Sequence, residues 1–296
     1  MENQENIEQY YEKARRKAKT NIVWFGIFSI VMLFAGLTSA YIVSKGDNFW
    51  VNFSMPKSLW ISTAFILVSS ITMILAVAAS KKKDNKKTTL YLILTLAFGL
   101  LFAGAQYAAW SQLYEKGYSW ADRIMNPETG EYMMQGTYGE DFTIQFQGTE
   151  LIQEEDGLYF WGEQAIKVDK EEYDELNSTQ PEMFVGKDFV RVQENKKNKD
   201  KVVLEAVVKS KMPLSASFLS KLKEVGNVSS SYFYTITIVH LLHILVTLIY
   251  LISMIVLSAK KELNEDNQLK IKLGGYFWHF FAGLWVYLLL FLFLIH

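Results

Sequence analysis

Residues Tyr232–Leu257 read YFYTITIVHLLHILVTLIYLISMIVL, and the only titratable groups besides tyrosine in this run are His240 and His243. A helix needs about 20 apolar residues to cross the hydrocarbon core of a bilayer. Four other runs reach that length: Ile22–Val43, Leu59–Ala79, Leu90–Leu113 and Gly275–Ile295. Each can satisfy its backbone hydrogen bonds only as a helix in lipid. Barrel strands would be about half as long and would alternate in polarity. The expected fold class is therefore an all-α membrane protein, a bundle of five transmembrane helices.

The rest of the chain sets the topology. Lys13, Arg15, Arg16, Lys17 and Lys19 precede the first run, Lys81-Lys82-Lys83 and Lys86-Lys87 separate the second from the third, and Lys260, Lys261, Lys270 and Lys272 separate the last two. These three segments share one side if all five runs span, and basic flanking loops mark the cytoplasmic side. The N-terminus is then cytoplasmic, and His296 and the segment 114–230 lie on the outer side. The short segment Lys45–Ser58 reads as an outer loop. The first run exceeds the apolar core of a signal peptide, about 7–15 residues, and follows a long polar leader, so an uncleaved helix is expected. The expected organisation is a cytoplasmic segment over 1–21, helices one to three over 22–113, an inserted domain over 114–230, and helices four and five over 231–296.

The inserted segment is too polar to span. Glu115–Ser230 carries 22 acidic and 14 basic residues. Thr143–Gln147 alternates at strand period. Asp156-Gly157 is a turn leading into Leu158-Tyr159-Phe160-Trp161. Lys201–Val208 is another strand candidate, Glu194–Lys201 reads as a loop, and Ser215–Val225 as a short helix. A small β-rich soluble domain follows.

Cysteine is absent from the chain. This excludes disulfides, thiolate zinc, iron–sulfur clusters and covalent c-type haem. The candidate sites are polar groups inside apolar runs, which are costly there and mark functional or packing positions. They are His240 and His243, three apart on one helix face, His279 within Phe277-Trp278-His279-Phe280, and Gln106. Metal or haem ligation is one reading. Against it, the helix interiors hold no Asp, Glu or Cys, and polar side chains commonly bridge transmembrane helices. Interhelical or lipid-headgroup contact is preferred for all four. Gly36, Gly99, Gly104, Ser69 and Ser70 are expected to admit close helix approach. Trp24, Tyr41, Trp50, Trp60, Tyr91, Trp110, Tyr250, Tyr276 and Trp278 read as an interfacial aromatic belt.

The five runs together resemble subunit III of the haem–copper oxidases. Helix four carries Phe233-Tyr234, Thr237, His240 and His243, similar to the family's aromatic pair, Thr and His-x-x-His. Helix five carries Phe277-Trp278-His279-Phe280 and Trp285, similar to the family's Tyr-Trp-His-Phe with a later Trp. Helix three offers Gly99, Phe102, Gln106 and Trp110. Helix two offers Ser69-Ser70 and Thr72, and helix one Ser29, Phe34 and Gly36. The chain departs from the family at Ile30, where a buried glutamate is common, and at Ala282 and Ile238. It resembles a divergent bacterial member with five helices and an extracytoplasmic insertion, which implies a bacterial inner membrane with His296 and the inserted domain periplasmic; residues 1–20 and the inserted domain fall outside the resemblance.

The resemblance implies an accessory subunit of a cytochrome c oxidase-type complex, with no catalytic centre in this chain. The complex would reduce oxygen to water and pump protons, with haem and copper in partner subunits. This chain would bind no cofactor itself, hold phospholipid between its helices, stabilise subunit I with subunit II as a further partner, and support proton uptake. His240, His243, His279, Trp278, Gln106 and Trp285 are its helix-packing or lipid-contact candidates. Glu171, Glu172, Asp174 and Glu175 are a candidate docking surface for a cytochrome c carrier or an upstream respiratory complex, against a plain solvated acidic face. A membrane haem protein using His279 with His240 or His243 is the alternative, and a transporter is a third class; no nucleic-acid partner is expected. None of the four prolines, Pro56, Pro127, Pro181 and Pro213, interrupts a span.

Overall fold

The computed structural model describes residues 2–154, 157–169, 174–175, 178, 191–194, 202–260 and 263–296. Among these, five helices are long and apolar enough to cross a membrane. They are α1 (Glu2–Asp47), α2 (Ser58–Lys81), α3 (Asn85–Glu115), α5 (Val228–Lys260) and α6 (Glu265–Ile295). The chain is a membrane protein.

Local chemistry sets the helix ends. Asp84 caps α3 by accepting the Lys87 N–H at 3.0 Å, and that bond holds its carboxyl below the usual carboxylate range. Asn264 caps α6 through the Asn267 N–H at 2.9 Å, and Glu265 and Asp266 follow in the first turn, where acids suit the helix dipole. Lys83, with φ 56°, takes the left-handed position that ends α2.

The bundle is a ring of four helices with a fifth outside. α2 packs on α3, α3 on α5, α5 on α6, and α6 back on α2, while α1 lies against α6 and α5. Phe102, Phe233, Ile244, Trp278 and Trp285 fill the centre. α1 runs on as one helix from Glu2, so its polar leader extends the transmembrane rod by about 30 Å at 1.5 Å per residue. At this basic end of the bundle, α1 is tied to the start of α6 by ion pairs Arg16–Glu265 and Lys19–Asp266, the latter at 2.9 Å.

The other end carries a six-stranded antiparallel sheet of order β1-β2-β3-β4-β6-β5. Its strands are β1 (Phe49–Phe53), β2 (Phe142–Phe146), β3 (Thr149–Glu154), β4 (Gly157–Asp169), β5 (Arg191–Glu194) and β6 (Val202–Pro213). The strands expected near 143–147, 158–161 and 201–208 are present as β2, β4 and β6. The short helix expected over Ser215–Val225 is α4 (Ala216–Glu224), with Ser215 as its cap. Of the expected loop Glu194–Lys201, Glu194 closes β5 and residues 195–201 lie outside the described residues.

Lys45–Ser58 is not simply a loop. It supplies β1, an edge strand paired with β2 from Phe49↔Phe146 to Phe53↔Phe142. Phe49, Trp50, Val51 and Phe53 are all buried, because α5 covers the face that β2 and its neighbours leave open. Four of its five residues are apolar and only Asn52 is polar, so the strand shows no alternation that would reveal it without its partner.

Both β1 and the loop that follows α3 are bonded directly to the bundle. At the start of α5, the Ser229 hydroxyl donates to the Val51 carbonyl at 2.5 Å, Ser230 to Ser119 at 2.8 Å and Ser231 to Trp120 at 2.5 Å. The Tyr234 hydroxyl donates to the Tyr118 carbonyl at 2.8 Å. From the end of α6, the His296 ring reaches Tyr41 on α1 at 2.7 Å and accepts the Phe53 N–H at 3.3 Å.

The aromatic belt needs correcting. Trp24 and Trp60 are exposed, as a belt residue should be, but Tyr41, Trp50 and Trp278 are buried in the core. Tyr41 and Trp50 pack edge to face at 4.7 Å, in the joint between bundle and sheet. A position near a helix end does not reveal whether lipid or a neighbouring element covers it.

Candidate functional site

The polar groups inside the bundle form interhelical contacts rather than one centre. His240, on α5, is fully buried. Its Nε2–H donates to the Phe281 carbonyl on α6 at 3.1 Å, and a carbonyl acceptor fixes this tautomer. Its ring lies among Phe34, Phe102, Phe281 and Trp285, with centroids 5.2–6.3 Å away. Nδ1 is left facing this apolar shell with no partner.

His243, one turn on, turns inward on its own helix, with Nδ1–H donating to the Val239 carbonyl at 2.7 Å. Its ring packs on Phe34 and Phe281. His279 points elsewhere: its Nδ1 is 2.6 Å from the Ser70 hydroxyl on α2. The structure therefore brings His240 and His243 into one aromatic cluster and leaves His279 at the α2–α6 seam.

Gln106, on α3, donates from Nε2 to the Ser62 hydroxyl on α2 at 2.9 Å. Trp285, on α6, donates from Nε1 to the Thr63 hydroxyl at 2.9 Å. Ser62 and Thr63 in turn both donate to the Leu59 carbonyl. One pair of adjacent hydroxyl residues on α2 thus receives α3 on one side and α6 on the other. Further along, the Ser69 hydroxyl donates to the Thr95 carbonyl at 2.9 Å, and Thr72 meets Thr95 at 2.8 Å. Ser62 and Thr63 were missed in the sequence. Their signal was a spacing of seven and more from Ser69-Ser70 and Thr72 on the same helix.

Trp278 has a packing role. A Cβ on Gly99 would lie 2.7 Å from Trp278 Cη2 and 2.9 Å from Leu248 Cδ2. Gly99 therefore admits close approach of α3 to α5 and α6. Gly36 and Gly104 do not: a Cβ at either would meet nothing within 4 Å. Spacing along a helix cannot say which small residue faces a neighbour.

Among the described residues, no group of three or more His, Cys, Asp or Glu side chains could hold a metal ion. Of the histidines considered for haem, His240 and His279 do not face a common space. His240 is enclosed by four aromatic rings with Nε2 committed to a backbone carbonyl, and His279 looks toward α2 rather than α5. His243 bonds the Val239 carbonyl of its own helix through Nδ1 and faces the cleft between α1, α5 and α6.

A cleft of about 480 Å³ runs between α1, α5 and α6. Ile22, Ile30, His243, Tyr250, Phe277 and Phe281 line it, and Lys19 and Lys270 stand at its mouth on the basic end. Both ammonium groups pair with Asp266, at 2.9 and 3.9 Å, so the apolar walls lie beneath a single net positive charge, which suits an acyl chain beneath an anionic headgroup. His243 is thus the lipid-contact candidate among the histidines.

Of the acidic docking candidates, Asp174 and Glu175 are exposed, and Glu171 and Glu172 lie outside the described residues. Some of the acidic surface is paired: Glu154 forms an ion pair with Lys211 across the sheet. Compared with known proteins, the chain matches no family model and no curated sequence.

Proposed function

We propose that this chain is a non-catalytic scaffold subunit of a respiratory terminal oxidase, of the subunit III kind. One observation carries the reading. The residues on which the resemblance rests, His240, His279, Gln106, Trp278 and Trp285, are those that tie α2, α3, α5 and α6 together. Their chemistry is spent on holding a rigid bundle, which is what a partner subunit in lipid requires of a scaffold.

In this reading, haem and copper reside in the partner subunits, and the bundle's lipid-facing sides pack against subunits I and II. Exposed apolar residues such as Phe25, Ile71 and Val246 provide such surface. The cleft between α1, α5 and α6 holds an anionic phospholipid from the cytoplasmic leaflet. The basic end is cytoplasmic and the sheet periplasmic. The direct bonds between sheet and bundle fix the sheet relative to the membrane, so a carrier docked on it would be held in a set orientation.

The test is purification of a tagged chain from its native membrane in mild detergent. The expected eluate contains a haem–copper catalytic subunit and shows its haem absorption. A chain that purifies without any oxygen-reducing partner, at native abundance and after crosslinking, refutes the reading.

A further inference from the structure

A cavity of about 580 Å³ opens on the sheet, far in sequence from the polar groups of the bundle. Its walls are the rings of Phe146, Phe160, Trp161 and Phe218 with the sulfur of Met212, over the buried Leu151. Among the described residues, no side chain lining it carries a charge. Gly162 shapes one wall: a Cβ there would lie 2.6 Å from the Met212 sulfur, so a larger residue would push the flexible thioether off β4.

At the rim, Gln147 and Gly148 form the two-residue turn between β2 and β3, both at positive φ (50° and 78°). The Gln147 amide and the Thr149 hydroxyl stand exposed there. The inner wall continues toward the membrane. Phe146 and Phe218 pack on each other at 4.7 Å and on Phe49 at 4.7 and 5.1 Å. Phe49 is two residues past the last residue of α1.

We propose that this cavity binds the ring of a neutral quinone-type amphiphile drawn from the adjoining membrane surface. The volume lies within the roughly 300–1,000 Å³ of small-molecule sites. Charge-free aromatic walls reject ions, which would lose hydration without a partner, and accept a flat ring in offset or edge contact. A primary amide supplies both a donor and an acceptor, which suits a ring carbonyl or its reduced hydroxyl. The Phe49 layer sets the ring at the bilayer surface, so an apolar tail can stay in lipid. The inference does not depend on the oxidase reading, since it uses only the sheet, α4 and the end of α1.

The half-exposed Trp161 is a built-in reporter. The full chain is placed in phosphatidylcholine nanodiscs and titrated with decylubiquinone, and the emission that Trp161→Phe removes is followed. Saturable quenching of that component is expected. Phe218→Ala should raise the half-saturation concentration roughly tenfold and Gln147→Ala roughly fivefold. Thr149→Phe, a change at an exposed rim position that leaves the core intact, should block binding and covers the case in which Phe218→Ala fails to fold. Quenching that rises linearly and equally in every variant overturns the site. Menadione, the ring without a tail, binding as tightly from the aqueous phase overturns delivery from the membrane.

Discussion

Gly99→Ala tests whether α3, α5 and α6 meet as described. The new methyl would lie 2.7 Å from Trp278 Cη2, 3.2 Å from Trp278 Cζ2 and 2.9 Å from Leu248 Cδ2. Leu248 can rotate away, but the indole is fully buried and rigid, so the helices must separate by a few tenths of an ångström or the ring must leave its well. Overpacking of this kind costs about 1–3 kcal/mol. Alanine also favours helix over glycine by about 1 kcal/mol, which would mask part of the loss. Gly36→Ala and Gly104→Ala carry the same propensity gain with nothing within 4 Å. The difference between Gly99→Ala and these two therefore isolates the packing cost. At about 2–4 °C per kcal/mol, Gly99→Ala should melt roughly 2–12 °C below them, by intrinsic fluorescence in one detergent at one scan rate. Trp278→Phe removes the clashing edge of the ring. Combined with Gly99→Ala it should cost less than the sum of the single changes, with a coupling of about 0.5–3 kcal/mol. Equal melting of the three alanine variants, or strict additivity in the double variant, would refute the placement of Gly99 against Trp278.

Other consequences are equally direct. Ser229→Ala removes the bond from α5 to the Val51 carbonyl. It should loosen β1 by about 1 kcal/mol, read as faster amide exchange at Phe49–Phe53 with exchange in the bundle unchanged. Gln106 leaves its Oε1 buried without a partner, so Gln106→Leu removes both a bond and an unmet acceptor. It should stay within about 1 kcal/mol of the parent by chemical denaturation, whereas Gln106→Ala, which leaves a cavity, should cost more. His296 is held neutral: burial first, then the nearby Lys45 charge, lower its pKa from 6.5 to about 3. Because the unfolded imidazole binds its proton near pH 6.5 and the folded one does not, stability is full above about 6.5 and falls as pH drops toward 3. Protonation would set an N–H against the Phe53 N–H, so His296→Phe should flatten that part of the pH–stability profile. Reversing Glu171, Glu172, Asp174 and Glu175 to lysine tests the docking surface. Turnover with a basic electron carrier should slow, and its dependence on ionic strength should weaken; an unchanged rate and salt slope remove that surface from the proposal.

The five membrane rods were legible from composition alone. A run of about 20 apolar residues in lipid has no solution but a helix, whatever its neighbours do. The strands near Thr143, Leu158 and Val203 and the helix after Ser215 were legible too, because alternation and capping are local. Their neighbours decided everything else. Ser62 and Thr63 look like any hydroxyls on an apolar helix until Gln106 and Trp285 arrive from two other helices. Gly36, Gly99 and Gly104 are alike in the sequence, yet only Gly99 is pressed by a tryptophan. Phe49–Phe53 looked like a loop between two helices because its strand partner lies some ninety residues later. Hydrophobic length is a one-dimensional property and survives in the bare sequence, whereas a hydrogen bond, a tight approach or a cavity needs two surfaces. Which surfaces meet is set by packing among helices that, residue by residue, are nearly equivalent.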